Sequence, residues 1–218
     1  MTSKPGSGSP TGATMHRPPA DPGERYRFTV VERWVHRTTA ALMGICVATA
    51  ACLYIPEFAE LVGRRELVVR IHELAGVALP VPVLFGLFSR GFRVNLGFLN
   101  RFGPHDRVWL RGALMRDKRR SARPAGKFNA GQKVYANWIA GATLVMLGTG
   151  LMMWFTHLTP IMWRTSATFV HDWLALTIGI VLGGHIGMAL GDPEARAGLR
   201  TGSVSREWAK REHPLWKP

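Results

Sequence analysis

Four apolar stretches, each close to the roughly twenty residues that carry a helix across a bilayer, constrain this chain more than any other feature. They run over about 36–55, 70–90, 134–155 and 167–190. In hydrocarbon every backbone N–H and C=O must be satisfied within the chain, and a helix does this segment by segment. The expected fold class is therefore all-α, an integral membrane four-helix bundle. A mean hydropathy of only +0.04 hides the segregation, because the apolar stretches alternate with strongly basic ones. Pro80 and Pro82 fall inside the second stretch and predict a kink there. Residues 1–26 are rich in Pro, Gly, Ser and Thr without an apolar period and read as a disordered tail, leaving 27–218 as the membrane domain.

The net charge of +14 on a soluble chain would point to nucleic acid. Here the charges flank apolar runs, so no nucleic-acid partner is expected and the charges report topology instead. Lys and Arg number six through Arg37, three over 56–71, twelve over 89–133, one over 156–166 and six over 191–218. The positive-inside rule then puts both termini and the long middle connection in the cytoplasm. In a competing reading, residues up to Arg37 and 38–47 form a signal sequence cleaved after Ala48-Thr49-Ala50. The apolar run continues through Ile55, which favours a true span. Cys46 and Cys52 both lie in the first stretch without any CxxC pattern. They read as buried thiols rather than ligands of zinc or an iron–sulfur cluster.

Histidine inside hydrocarbon is expensive and has a job or a partner. His16, His105, His157 and His213 fall in the tail, in basic connections or at a span end, and read as surface. His36, His72, His171 and His185 lie in or at the spans. His171 and His185 are fourteen residues apart on one stretch, about 21 Å of helix ending roughly 40° short of four full turns, so both leave nearly the same face. Topology sorts the four by depth: His36 with His185 near the cytoplasm, His72 with His171 near the outer surface. Two bis-histidine sites stacked through a bilayer are what two b-type haems require. The glycines around Gly183 and Gly184 would admit a flat ligand between helices. A proton relay or metal transport remains open at this point. Glu73 and Asp172, directly after His72 and His171, are expected at helix starts as caps or as partners of the histidines.

Several short segments carry a family resemblance: 32-ERWVHR-37, 71-IHELAG-76, 127-KFNAGQK-133, the His171/His185 spacing, and 202-GSVSREWAKREHPLW-216. Together, over roughly 25–216, they resemble the cytochrome b (gamma) subunit of respiratory formate dehydrogenases. The resemblance implies four transmembrane helices holding two haems b in the bacterial inner membrane, with His36, His72, His171 and His185 as ligands. It implies an iron–sulfur (beta) subunit as electron donor, a molybdopterin catalytic (alpha) subunit behind it, and a quinone, usually menaquinone, as acceptor. It leaves open whether such complexes assemble as a trimer. Asn129 and Gln132 match the polar positions of the loop motif, near the cytoplasmic haem and the quinone pocket. Asn129 is also an ordinary N-cap. Arg37 stands where the family commonly has an aromatic, either to pair with a propionate or to mark the membrane edge. The chain carries no formate chemistry of its own. The rival readings are the cytochrome b subunit of a membrane-bound hydrogenase or another molybdoenzyme, and a haem-free proton or metal transporter.

Overall fold

A computed structural model describes residues 23–117, 119 and 123–217, so most of the expected tail and His16 lie outside the described residues. The first long helix, α1 (Val30–Tyr54), starts at a capping box in which Thr29 accepts from the Glu32 amide and Glu32 accepts from the Thr29 amide. This satisfies two of the four amides a helix start leaves open. The helix runs unbroken through Ala48-Thr49-Ala50. A short helix α2 (Pro56–Val62) opens on proline and closes on Gly63 at φ 61°, a left-handed cap that glycine adopts without a Cβ penalty.

The second crossing is two helices, α3 (Arg65–Ala78) and α4 (Val81–Gly86). It breaks where the prolines stand, because Pro80 and Pro82 cannot donate to the preceding turn. The connection that follows holds α5 (Arg90–Asn100) and α6 (Pro104–Leu114). The third and fourth crossings are α7 (Ala130–Trp154) and α8 (Ile161–Leu190). All four crossings are long and apolar enough to span a membrane. Each begins four to six residues before the apolar run does, because capping residues and basic side chains extend the helices beyond hydrocarbon depth.

The fold departs from all-α in one place. Glu24–Tyr26 (β1) pairs antiparallel with Ser203–Ser205 (β2), with Arg25 opposite Val204. So the last three residues assigned to the tail are ordered and tied to the C-terminal segment, which adds α9 (Pro193–Thr201) and α10 (Arg206–Glu212). Gly202, at φ 96°, ends α9, and its carbonyl accepts from the amides of Arg27 and Phe28. A small core of Val204, Trp208 and Ala209, flanked by Ala195 and Trp216, closes this head of the molecule.

Helix α1 packs mainly on α3, and α7 on α8. The two hairpins meet in a layer of Met43, Leu79, Ala142 and Ile178, one residue from each crossing. Most other large apolar side chains on these helices face outward, as expected where lipid is the solvent.

Candidate functional site

Three of the four members of the middle layer lie seven residues from a histidine, two helical turns or about 10.5 Å. Met43 follows His36, Leu79 follows His72, and Ile178 lies midway between His171 and His185. The repeat keeps the four imidazoles facing one another in pairs, with His36 exposed and His72, His171 and His185 half-buried. The rings of His36 and His185 are 6.5 Å apart, inclined at 47°. Those of His72 and His171 are 6.2 Å apart, at 67°. One pair lies toward the head and the other toward the far end of the molecule, where α2 sits.

A metal bound axially by two imidazoles at a metal–nitrogen distance of about 2 Å holds the ring centres roughly 6 Å apart. Both pairs have that separation. Among the described residues no cluster of three or more His, Cys, Asp or Glu forms a metal cage. Two facing imidazoles with no third protein ligand suit a metal whose remaining positions are filled by a planar macrocycle. A Cβ added at Gly179, Gly183, Gly184 or Gly187 would meet nothing within 4 Å, so α8 leaves open space on either side of His185.

The far pair is oriented by hydroxyls. Thr49 Oγ1 lies 2.8 Å from His72 Nδ1, and Thr149 Oγ1 lies 2.9 Å from His171 Nδ1. Each hydroxyl is also within reach of its own helix, Thr49 of the Ile45 carbonyl at 2.7 Å and Thr149 of the Val145 carbonyl at 2.8 Å. The head pair is arranged differently. His185 stacks on Tyr135 with ring centres 4.5 Å apart and planes within 4°.

Of the other expected residues, Asn129 takes the N-cap place the sequence allowed, while several others fall elsewhere than expected. Asn129 and Gln132 form a reciprocal capping box at the start of α7, at 2.8 and 3.0 Å. Arg37 donates to the carbonyls of Leu199 and Arg200, and Arg33 donates to that of Arg200. Both guanidiniums thus sit on the carbonyl end of α9, where cations are favoured. Glu73 and Asp172 are not at helix starts, because α3 begins at Arg65 and α8 at Ile161. Asp172 accepts from the Tyr54 hydroxyl, and one Glu73 carboxylate oxygen is buried without a hydrogen-bond partner.

His213 is not on the surface. It is 3% exposed, donates from Nδ1 to the Gly126 carbonyl at 2.6 Å and accepts from the Arg27 guanidinium at 3.1 Å. Burial first, then the nearby Arg27 charge, pull its pKa down to about 4. Burial likewise brings Arg27 down to about 10, with Asp192 opposing it. Cys46 and Cys52 are free thiols.

The threonines escaped notice because a hydroxyl in an apolar run reads as a small residue. A signal was present. Thr49 precedes the aromatic end of its helix, Tyr54, by five residues, as Thr149 precedes Trp154. Each hairpin's second helix then carries a histidine followed by an acid, His72-Glu73 and His171-Asp172.

Comparison with known proteins bears on the same region. Residues 27–197 match the profile of the family described as prokaryotic cytochrome b561. The cytochrome b556(Fdn) subunit of nitrate-inducible formate dehydrogenase from Escherichia coli K12 is 24% identical over 198 residues, 87% of this chain and 88% of that protein. The cytochrome b556 subunit of Haemophilus influenzae formate dehydrogenase is 27% identical over 199 residues, covering 83% and 80%. The cytochrome b556(fdo) subunit of Escherichia coli K12 formate dehydrogenase is 26% identical over 197 residues, covering 87% and 90%. With its four apolar crossings, its two facing histidine pairs and a profile match spanning most of its length, the chain belongs to the prokaryotic cytochrome b561 family, integral membrane proteins for which haem b is the expected prosthetic group.

Proposed function

We propose that this chain is the membrane-anchoring cytochrome b subunit of a formate dehydrogenase complex, carrying electrons between an iron–sulfur subunit and quinone. The observation that carries the reading is the pair of facing imidazoles at each of two levels, 6.2 and 6.5 Å between ring centres. His72 and His171 would hold one haem b, and His36 and His185 the other, with Gly184 in the open strip beside the second. Haem supplies a one-electron couple that neither the apolar bundle nor its two free thiols provide. The protein's part is to fix ligand, spacing and surroundings.

The relatives' names support the complex: each is the cytochrome b556 subunit of a formate dehydrogenase. On this reading the molybdopterin subunit oxidises formate, the iron–sulfur subunit delivers electrons, and this chain hands them to a quinone such as menaquinone. The head carries most of the basic residues and both described ends of the chain, which supports its assignment to the cytoplasmic side of the bacterial inner membrane. Asn129 and Gln132 lie at that surface, where the amide atoms not used in their capping box could meet a quinone carbonyl.

The test is a reduced-minus-oxidised visible spectrum of the purified complex, with haem per chain from a pyridine haemochrome assay. Two b haems are expected, falling to one in His72→Ala and to one in His36→Ala, with the two survivors distinguishable by potential. A chain without haem would send the reading to proton or metal transport.

A further inference from the structure

The two histidine pairs differ in what holds their second ring nitrogen, and the difference lies in two threonines. A threonine hydroxyl has one hydrogen. In Thr49 it is directed to the Ile45 carbonyl at 2.7 Å or the Cys46 carbonyl at 3.0 Å. In Thr149 it is directed to the Val145 carbonyl at 2.8 Å or the Met146 carbonyl at 3.2 Å. With that hydrogen committed, the oxygen facing the imidazole can only accept. His72 and His171 therefore donate from Nδ1 to Thr49 and Thr149. The proton is thereby fixed on Nδ1 and the Nε2 lone pair is freed toward the space between the rings.

The same device is built twice. In α1–α3 and again in α7–α8, a threonine on the first helix orients a histidine on the second. Among the described residues, no protein group holds a ring nitrogen of His36 or His185 in this way.

We infer that Thr49 and Thr149 are positioning residues that fix His72 and His171 in the Nδ1–H tautomer and lower the reduction potential of the haem they bind. This rests on the bis-histidine haem reading. Donation from Nδ1 makes the opposite nitrogen more basic. A more basic axial ligand favours the ferric state, so the far site is the lower-potential one to the extent that these hydroxyls act.

The test is a potentiometric titration of the haem bands in the full complex, wild type against Thr49→Val, Thr149→Val, the double variant and the two serine variants. The far component is identified as the one missing in His72→Ala. It should move to a more positive potential in each valine variant, furthest in the double variant, while the head component stays in place. Serine, which keeps the hydroxyl, should leave both unmoved. Two haems retained with neither potential moved in the double valine variant would overturn the inference and leave the haem reading intact, as would a shift confined to the head component. If the valine variants lose the far haem, serine variants that hold it at the wild-type potential support the hydroxyl's role. Serine variants that also lose it assign the effect to packing and overturn the inference. Absence of haem from the wild-type complex would instead fail the parent reading.

Discussion

The two ends of the bundle solve one problem by different means. At the head, long-range polar contacts hold the helices. Glu32 on α1 accepts from Asn95 on α5, and Lys133 on α7 meets Asp106 on α6 at 2.7 Å. Arg33 and Arg37 fasten α1 to the end of α9, and Arg27 lies over Trp208. At the far end the contacts between elements are fewer, chiefly Tyr54 with Asp172 and Arg65 with the Leu53 carbonyl. His36 and His185 sit close to the braced end, so the helix termini position them. His72 and His171 have no such scaffold, and a local hydroxyl orients each. A histidine pair near a well-packed head can do without hydrogen-bond partners on its rings, His185 being stacked on Tyr135 instead, whereas a pair far from the head has its own.

The comparison can be broken most severely through the head core. Trp208 is 3% exposed, and truncating a buried tryptophan costs roughly 3–5 kcal/mol. In Trp208→Ala the His36–His185 site should lose haem in detergent well before the His72–His171 site does, read as haem per chain and by which potential survives. Equal loss from both would mean the head does not position the nearer pair.

Asp106→Ala should cost about as much at most, since removing one partner of a buried ion pair costs roughly 3–5 kcal/mol, here leaving the Lys133 ammonium unpaired. The thermal midpoint of the purified complex would fall. The pair also gives an acid limb. Burial raises the Asp106 pKa, but the Gly103 amide and the Lys133 charge outweigh it and hold it below the ordinary value. A depressed carboxylate stabilises above its unfolded pKa of about 4 and loses that contribution as pH falls further.

His213 acts over a higher window. Its folded value of about 4 lies below the ordinary 6.5, so the neutral ring stabilises the head above about pH 6.5. That contribution is lost progressively as pH falls toward 4, on the order of 3 kcal/mol in all. Fluorescence of Trp208 and Trp216, the ring neighbours of His213, should report loosening there. His213→Gln should flatten the response between pH 6.5 and 4. The smallest effect expected is from Asn129→Ala, about 1 kcal/mol for a lost N-cap, with haem content unchanged. A larger loss of quinone reduction than of stability would assign Asn129 a role beyond the cap.

Hydrophobic run length was enough to place the four crossings, and the alternation of the chain across the membrane, with the fourteen-residue histidine spacing, set His36 beside His185 and His72 beside His171. Run length and spacing are local signals. The β1–β2 ribbon was not legible, because its three-residue strands lie about 180 residues apart in the chain and neither carries a pattern of its own. Helices α5 and α6 were hidden because the connection was read by its charge, twelve Lys and Arg over 89–133, although each helix sets five apolar residues beside two arginines within eleven positions. His213 was misplaced for a related reason. Its flanks, Arg211, Glu212 and Pro214, read as surface, while its burial comes from Arg27, Gly126 and Trp208 arriving from elsewhere in the chain.

The middle layer has a further consequence. Met43, Leu79, Ala142 and Ile178, with Leu42, Cys46, Trp138, Ile139, Met146, Leu174 and Leu182 around them, form a largely apolar layer between the two histidine levels. Apolar packing of this kind offers an entering water few hydrogen-bonding partners. On the proposed function, such a layer would act as an insulating septum, slowing water and protons between the two haem levels.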